Sequence, residues 1–212
     1  MLPVIETFAS IQGESTHAGR KCFFIRLAQC NLRCNYCDTA YAWEGGEMRT
    51  IPALVEEVLA SGLGLVEVTG GEPLIHEETP ALLQALLDAG VEVLLETNGS
   101  VSIVRVPQNV RKILDCKTPA SGMSGSNCWD NFSLLQPHDE VKFVVSGRDD
   151  FFWAVEIIEK YRLTEKTANL IFSPVWGRIS FEELAGLVVE CKLPIRMQLQ
   201  MHKLIWGDKK GV

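Results

Sequence analysis

The stretch CFFIRLAQCNLRCNYC, residues 22–37, joins a largely apolar, β-rich run to three cysteines within eight residues. Such a run is typical of a strand buried on both faces of a parallel sheet. The segment after it is polar and loop-forming, so Cys30, Cys34 and Cys37 follow the end of that strand and their thiols can converge. Ligands of parallel α/β folds bind at the carboxyl ends of the strands. The stretch therefore predicts a parallel sheet with three thiols where a ligand binds.

Strands and helices alternate along the rest of the chain. Further β-rich runs cover residues 65–69, 91–96, 112–116, 140–145, 169–173 and 195–201. Amphipathic helical patterns lie between several of them, at residues 51–58, 82–87, 151–158 and 181–191. Thr50 is the expected N-cap of the first, and Ser180 with Glu183 forms a capping-box pair before the fourth. This alternation predicts an α/β fold with right-handed crossovers.

The length of the chain distinguishes a closed barrel from an open one. A complete eight-fold barrel usually needs about 250 residues. This chain has 212, and its residues 118–139 form a Gly-, Ser- and Asn-rich stretch without a clear helical pattern. We therefore predict a partial, open TIM-like barrel with parallel strands. With 47% apolar residues the chain can bury a full core, so we predict a single domain over residues 1–212.

Composition and charge argue against several classes of function. The net charge is −7 and no basic block is longer than Lys209-Lys210, so nucleic acid is not an expected partner. No run approaches the roughly 18 apolar residues of a membrane helix. The N-terminus lacks a basic segment followed by an apolar one, so we expect a cytoplasmic protein without a membrane partner. Seven cysteines, an odd number, are poor candidates for a disulfide framework in a reducing compartment.

The number of clustered thiols is informative about the metal that they bind. Thiolates select soft metals, namely zinc, copper(I) and iron–sulfur clusters. A structural zinc site normally takes four ligands, and a redox pair needs two. Three cysteines on a four-iron cluster leave one iron with an open position for another ligand. The alternative is a zinc site completed by His17, Cys22 or Asp38.

The spacing C-x3-C-x2-C of residues 30–37 resembles the signature of the radical S-adenosylmethionine superfamily. In that superfamily the open iron of a 4Fe-4S cluster binds the methionine part of S-adenosylmethionine, which is then cleaved to a 5′-deoxyadenosyl radical. A second motif, Gly70-Gly71-Glu72-Pro73, follows the run at 65–69. Its glycines leave the backbone open to a ligand, although a plain turn between strand and helix would look similar. It resembles the superfamily's GGEP motif, which contacts the methionine amino group.

Four further segments indicate which branch of the superfamily the chain resembles. These are IQGES at residues 11–15, Arg26 in the first run, CDT at 37–39 and QLQMHKLIWG at 198–207. Together they resemble the 7-carboxy-7-deazaguanine synthases, and the resemblance extends from residue 5 to the C-terminus. It implies contraction of the pterin ring of 6-carboxy-5,6,7,8-tetrahydropterin to 7-carboxy-7-deazaguanine, with loss of ammonia, in the biosynthesis of queuosine and other 7-deazapurines.

Amide, carboxylate and backbone groups suit the donors and acceptors of a pterin edge. A guanidinium suits the substrate carboxylate because it can form two parallel hydrogen bonds. Without the resemblance, IQGE would be taken as a solvated turn and a lone histidine at a strand end as a satisfied polar residue. The resemblance places at the substrate Gln12, Gly13, Glu14, Arg26, Thr97, His202 and the terminal carboxylate of Val212.

The resemblance also assigns residues to the cofactors. Cys30, Cys34 and Cys37 hold the 4Fe-4S cluster, and the hydroxyl of Thr39 binds Mg²⁺, an ion that prefers oxygen ligands. A threonine after a loop aspartate is otherwise a turn or capping residue, and segments 140–142 and 173–176 would look the same for structural reasons alone. The residues expected at S-adenosylmethionine are Tyr36, Cys37, Asp38, Gly70, Gly71, Glu72, Gly99, Glu140, Val141, Lys142, Ser173, Pro174, Val175 and Trp176.

Two kinds of protein partner are expected. The need for a low-potential electron implies a reductase of the flavodoxin or ferredoxin kind, and the family resemblance implies a homodimer. Cys22, Cys116 and Cys128 share no spacing and receive no role, whereas Cys191 lies on an apolar helix stripe and is expected in the core. The alternative functions are a glycyl-radical-enzyme activating protein, which shares the cysteine triad and GGEP, and a non-catalytic zinc or redox-sensing protein.

Overall fold

The computed structural model describes residues 1–207 and 209–212, and within them nine strands form one sheet. The strands are β1 (Leu2–Ile11), β2 (Lys21–Leu27), β3 (Glu47–Arg49), β4 (Leu65–Gly70), β5 (Glu92–Thr97), β6 (Arg111–Asp115), β7 (Glu140–Val145), β8 (Asn169–Pro174) and β9 (Arg196–Met197). Their order in the sheet is β3-β1-β2-β4-β5-β6-β7-β8-β9. From β2 to β9 neighbouring strands are parallel, while β1 is antiparallel to β2 and β3. Because β3 and β9 are not paired with each other, the barrel is open, and the predicted partial barrel is confirmed.

The amphipathic patterns predict four of the five α-helices in the described part of the chain, and the last helix is not among them. The helices are α1 (Ile51–Ala60), α2 (Thr79–Asp88), α3 (Arg148–Lys160), α4 (Phe181–Glu190) and, after β9, the short α5 (Met201–Trp206). The hydroxyl of Thr50 accepts a hydrogen bond from the Ala53 amide at 3.3 Å, and that of Ser180 accepts one from the Glu183 amide at 3.0 Å. Both caps therefore begin their helices as predicted. Segment 118–139 contains only short 3₁₀ turns.

Two regions differ from the sequence prediction. The strand expected at 195–201 covers only Arg196–Met197, because the chain then turns toward the N-terminal loop. There the Gln198 side chain donates to the Ser15 carbonyl at 2.7 Å. The second difference is the ten-residue strand β1, which the apolar runs do not predict. Most of its residues are only half-buried, so it lacks the unbroken apolar run of a central parallel strand.

The two faces of the curved sheet bury different kinds of residue. The helices pack on the outer face over the large apolar core. The inner face holds a small apolar cluster of Cys22, Phe24, Leu65, Leu94 and Ile113, against which Phe8 packs. Side chains alternate along a strand, so the next inward position toward the carboxyl end lies two residues on. Those positions are polar: Arg26, Glu67, Glu96 and Asp115. In the described part of the chain, no helix is both long and apolar enough to span a bilayer.

Candidate active site

A cavity of about 290 Å³ opens above the small inner cluster, at the carboxyl ends of the parallel strands. Its floor includes Phe8, Phe24 and Ile113, and the polar inward positions of β2, β4, β5 and β6 lie above them. Cys30, Cys34 and Cys37 line its wall, as expected for residues that follow β2. The alternation of the strands and the loop after β2 therefore bring apolar, charged and thiol groups into one space.

The cysteine loop leaves its three thiols partly exposed to the cavity. All three are free and partly buried, and the Cys30 sulfur accepts hydrogen bonds from the Leu32 amide at 3.4 Å and from Asn98 Nδ2 at 3.7 Å. Burial raises the pKa of the Cys34 and Cys37 thiols above their ordinary value. Metal ligation requires thiolates, so loading a metal group must release the protons of these thiols.

The side chains considered for a closed zinc site lie in other interactions. Cys22 belongs to the buried inner cluster, and His17 Nε2 contacts a Glu92 carboxylate oxygen at 2.7 Å, at the amino end of β5. Asp38 lines the cavity but pairs with Lys203 at 2.7 Å. Within residues 1–207 and 209–212, no three His, Cys, Asp or Glu side chains have the spacing of a single metal ion. Each of the three side chains considered as a fourth zinc ligand therefore takes part in another interaction in this structure.

The glycine pair after β4 allows two backbone segments to touch. A Cβ on Gly70 would lie 2.1 Å from the Leu27 carbonyl oxygen, and one on Gly71 would lie 1.8 Å from the Gln29 carbonyl oxygen. The Gly71 amide donates to Leu27 at 3.0 Å, and the Glu72 amide donates to Gln29 at 2.7 Å. This segment therefore fixes the backbone that leads directly into Cys30, so it is more than a plain turn.

We expect a Gly71→Ala variant to be defective in both stability and metal loading. The added methyl group meets backbone atoms of Gln29, which cannot move aside as a flexible side chain would. Overpacking of this kind costs roughly 1–3 kcal/mol, and its relief displaces the cysteine loop. Chemical denaturation and iron content per chain measure the two effects. Gly186→Ala is the matched control, since nothing lies within 4 Å of a Cβ placed there. Equal behaviour of the two variants would contradict this account of Gly71.

Glu72, the acidic residue of the same motif, does not line the cavity. Its buried carboxylate accepts hydrogen bonds from the Leu74 amide at 2.9 Å, the Thr97 hydroxyl at 2.7 Å and the Asn98 amide at 2.6 Å. Burial raises the pKa of this carboxyl. Glu72 thus joins the turn after β4 to the end of β5, and it orients Thr97, which does line the cavity.

A buried ammonium group lies at the centre of the cavity's charges. Lys142 Nζ contacts Glu14 at 3.0 Å and Asp115 at 3.9 Å, and it also donates to Glu96. Burial alone would lower the pKa of Lys142, but these three carboxylates raise it well above its ordinary value. Burial likewise opposes ionisation of Glu14, yet chiefly the attraction of Lys142 lowers the Glu14 pKa. Both groups are therefore charged at neutral pH.

A second carboxyl group in the cavity has the opposite behaviour. Glu67 is only 3% exposed, and its burial, with Glu96 and Glu14 nearby, raises its pKa well above the ordinary value. Gln12 Nε2 donates to Glu67, while Gln12 Oε1 accepts from the Glu14 amide at 3.0 Å. These two contacts fix the orientation of the Gln12 amide. The cavity thus contains two carboxyl groups with opposite shifts: the pKa of Glu14 is lowered and that of Glu67 is raised.

The C-terminal segment forms one side of the cavity. The Met201 amide donates to the Gly13 carbonyl at 3.0 Å, and Gln200 Nε2 donates to Glu14 at 2.9 Å. A Cβ on Gly13 would lie 2.3 Å from His202 Nδ1, so only glycine allows this close approach. The contacts attach the start of α5 to the loop at 12–14 and bring His202 and Val212 to the cavity wall.

The cavity unites most, but not all, of the residues predicted from sequence. All seven predicted substrate residues line it, as do the three cluster cysteines and Thr39. Of the residues expected at S-adenosylmethionine, those that line it are Tyr36, Cys37, Asp38, Gly70, Gly71, Lys142, Pro174, Val175 and Trp176. Those outside its wall are Glu72, Gly99, Glu140, Val141 and Ser173.

The placement of these outlying residues has physical reasons. Val141 faces the large outer core, because it alternates with the inward Lys142. Glu140, at the amino end of β7, accepts hydrogen bonds from the amide and hydroxyl of Thr16. Ser173 is fully buried, and the Gly99 carbonyl accepts from the Cys128 amide at 2.9 Å. These positions support neighbouring segments.

Several cavity residues were not singled out from the sequence. Glu67, Glu96, Asp115 and Lys117 all line the wall, and Lys117 pairs with Asp115 at 2.8 Å. The signal in the sequence is a charged residue within an otherwise apolar run for Glu67, Glu96 and Asp115, and directly after such a run for Lys117. Cys116, between two of them, faces the outer core, and Cys191 packs partly buried against that core as expected.

Comparison with known proteins identifies the family. The radical SAM superfamily profile matches residues 25–188. The chain is 41% identical to the 7-carboxy-7-deazaguanine synthase of Koribacter versatilis, with 100% of both chains covered. It is 45% identical to that of Chlorobaculum tepidum, with 100% of this chain and 97% of the relative covered. The crystal structure of QueE from Escherichia coli has the same fold, with a TM-score of 0.78 at 23% identity over 95% of this chain and 94% of that one.

The matches confirm the predicted cofactors, a 4Fe-4S cluster and S-adenosylmethionine, and they favour this family over the glycyl-radical activating and zinc-binding alternatives. They extend over 97% or more of relatives that share one name, whereas the superfamily profile alone would fit either enzyme type. Radical enzymes of this kind carry their chemistry on the cofactor, and the protein supplies binding and orientation. The chain therefore belongs to the 7-carboxy-7-deazaguanine synthase family of the radical S-adenosylmethionine superfamily.

Proposed function

We propose that this enzyme contracts the ring of 6-carboxy-5,6,7,8-tetrahydropterin to 7-carboxy-7-deazaguanine and releases ammonia. The observation that carries the proposal is a single cavity whose wall holds the three thiols and, beyond them, amide, carboxylate and guanidinium groups. The second set suits the donors and acceptors of the pterin edge and the substrate carboxylate. The family's shared name, over full-length matches, supports the same substrate class.

The residues present fit the cofactors of the superfamily. Cys30, Cys34 and Cys37 would hold the cluster, and Gly70 and Gly71, which line the same cavity, would lie beside the methionine part of S-adenosylmethionine. When bound and reduced, the cluster supplies the electron that cleaves S-adenosylmethionine. Asp115 lines the cavity, and its Oδ1 is buried without a hydrogen-bond partner among residues 1–207 and 209–212. A hydroxyl donor on the nucleoside would satisfy it.

The substrate end of the cavity is organised before any ligand binds. Gln12 is held by Glu67 and Glu14, and Glu14 is held by Lys142 and Gln200. Side chains fixed in this way bind a planar, polar ligand without losing further rotamer freedom. The C-terminal segment completes the wall at this end, where His202 and Val212 line the cavity.

We assign Thr39 as a magnesium ligand within the same proposal. Its hydroxyl lies at the cavity wall and donates to Asp38 Oδ1 at 2.9 Å, and the structure gives Thr39 no capping hydrogen bond to the following turn. Mg²⁺ prefers oxygen ligands and keeps several waters, so one hydroxyl beside a carboxylate and an open cavity suits it.

A Thr39→Ala variant is expected to require about tenfold more Mg²⁺ for half-maximal activity, which corresponds to the loss of about 1.4 kcal/mol of binding. Steady-state rates measured over a Mg²⁺ titration check this. Thr164→Ala, at an exposed position away from the cavity, serves as the matched control. If both variants respond to Mg²⁺ like the unchanged enzyme, Thr39 is not a ligand.

The proposed reaction requires an electron donor. Cleavage of S-adenosylmethionine needs a low-potential electron, so we propose a flavodoxin or ferredoxin as the physiological donor. We also propose that the enzyme is a homodimer in the cytoplasm. The family resemblance supports the homodimer, and the apolar and charge patterns of the sequence support the location.

An ammonia assay tests the function. Cluster-loaded, anaerobic protein is supplied with a chemical reductant, S-adenosylmethionine and the carboxylated tetrahydropterin, and ammonia is measured against pterin consumed. We expect one ammonia per pterin, and none when S-adenosylmethionine is omitted. Cleavage of S-adenosylmethionine without pterin-dependent ammonia would reject the proposed reaction and revive the protein-activating alternative.

A further inference from the structure

The guanidinium of Arg26 is attached to the strand beside it before any ligand binds. Its Nε donates to Glu6 Oε1 at 2.7 Å, across the pairing of β1 with β2. The Tyr41 hydroxyl donates to the same Glu6 oxygen at 2.7 Å. Only 17% of the Arg26 side chain and 22% of the Glu6 side chain are exposed. One carboxylate therefore joins an arginine and a tyrosine at the cavity wall.

Aromatic rings hold the plane of the same guanidinium. The Arg26 guanidinium carbon lies 5.9 Å from the centroid of the Phe8 ring and 5.8 Å from that of the Tyr41 ring. Contacts of this kind contribute about 0.5–2 kcal/mol, depending on desolvation. One ion pair and two ring contacts thus set the position of Arg26. The sequence motifs assign no role to the partners, Glu6, Phe8 and Tyr41.

This arrangement leaves one edge of the guanidinium open. An arginine has five N–H donors, and a carboxylate can bind either along the edge that includes Nε or across the two terminal nitrogens. Glu6 occupies Nε. Within the part of the chain that the structure describes, the two terminal nitrogens of Arg26 have no hydrogen-bond partner, and Arg26 lines the cavity. A carboxylate can therefore form a bidentate pair with Arg26 only across these two terminal nitrogens.

We propose that Glu6 is a positioning residue, which holds Arg26 so that its terminal nitrogens receive the substrate carboxylate, with Tyr41 holding Glu6 in turn. The inference rests on the proposed function, because it takes the carboxylated pterin as the ligand. It deepens that function by assigning specificity for the carboxylate to a three-residue unit. A free arginine side chain would lose rotamer freedom on binding, and this unit removes that cost beforehand.

The opposite face of β1 provides a matched control. Thr7, the residue after Glu6, donates to Glu57, and Glu57 also pairs with Arg49 at 2.8 Å. This is again one carboxylate shared by an arginine and a hydroxyl group, with 28% of Arg49 and 36% of Glu57 exposed, but none of the three residues lines the cavity. Glu57→Gln therefore reproduces the chemical change of Glu6→Gln without touching the substrate site.

The test is a binding measurement on cluster-loaded protein with S-adenosylmethionine, before reductant is added. Anaerobic calorimetry compares the carboxylated tetrahydropterin with tetrahydropterin that lacks the carboxylate. We expect Glu6→Gln to weaken binding of the carboxylated ligand about tenfold and Glu6→Ala to weaken it further, since glutamine still offers an oxygen to Nε. Binding of the other ligand should change less than about twofold, and Glu57→Gln should change neither affinity.

A double variant distinguishes a positioning role of Glu6 from a structural one. In an Arg26→Ala background, Glu6→Gln should have no additional effect on the carboxylated ligand, because Glu6 acts through Arg26. Equal weakening of both ligands by Glu6→Gln would show a merely structural role and overturn the inference, as would an unchanged affinity for the carboxylated one. Failure of the unchanged enzyme to bind either pterin would instead reject the proposed function.

Discussion

A Cys34→Ser variant is expected to lose the iron–sulfur cluster and, with it, at least about a thousandfold of the activity, equivalent to about 4 kcal/mol of transition-state stabilisation. Soft iron–sulfur centres select thiolates, and a serine hydroxyl is a poor substitute. Cys34 lines the cavity wall, whereas Cys22 and Cys116 are buried in the two apolar clusters and cannot replace it. Iron and sulfide per chain, together with the rate of pterin consumption, measure the loss.

Cys191→Ser is the control for this variant. Cys191 is partly buried at the end of α4 and lies outside the cavity, so its replacement should leave iron content and activity unchanged. Full cluster occupancy in Cys34→Ser, or a similar loss of iron in both variants, would contradict the assignment of the triad.

The second large effect is expected at Lys142. A Lys142→Met variant keeps most of the side-chain volume but removes the only ammonium in contact with Glu14 and Glu96 among the described residues. Breaking a buried ion pair by removing one partner costs roughly 3–5 kcal/mol, because the remaining charge is left unpaired. Denaturant unfolding measures this loss, and substrate affinity should fall in parallel since Glu14 loses its anchor.

The penalty at Lys142 should depend on pH with a definite sign. In the unchanged protein the lowered pKa of Glu14 contributes stability that is present above its unfolded pKa and lost as pH falls through the folded one. In Lys142→Met that carboxylate has no cation, so its pKa rises and it takes up a proton at higher pH. The stability difference should therefore be large at neutral pH and shrink as the solution is acidified.

Lys112→Met is the matched control for the lysine. Lys112 is also buried and pairs with Asp139 at 3.1 Å, but neither residue lines the cavity. Both variants should be destabilised, whereas only Lys142→Met should weaken substrate binding. If Lys112→Met weakened binding equally, the effect of Lys142→Met would reflect general stability, and the assignment of Lys142 to the substrate site would be wrong.

The fold was largely predictable because its central strands are buried on both faces and therefore carry long apolar runs. The run at 140–145 coincides with β7, and Thr50 and Ser180 cap their helices as expected. Strand β1 was missed because antiparallel strands near a sheet edge are half-buried and carry no apolar run. The run at 195–201 was predicted too long because tertiary contacts of Gln198 and Met201 with the N-terminal loop turn the chain away from the sheet.

Site residues that belong to a sequence motif were predictable. Those that depend on which face of a strand points inward were not. Cys30, Gln12 and Arg26 belong to recognisable patterns, and all three line the cavity. Glu67 and Asp115 do not, because a run buried on both faces does not reveal which residues point inward. Their charge within apolar runs was the available signal. The role of Glu6 depended on a cross-strand ion pair, which no local pattern in the sequence contains.

The mass spectrum of the product shows directly whether this enzyme contracts the pterin ring. Reduced, cluster-loaded protein is incubated with S-adenosylmethionine and 6-carboxy-5,6,7,8-tetrahydropterin, and the products are identified by mass. The proposed function predicts 7-carboxy-7-deazaguanine, formed only when protein and S-adenosylmethionine are both present. Recovery of the pterin unchanged, or merely oxidised, while S-adenosylmethionine is cleaved would contradict it.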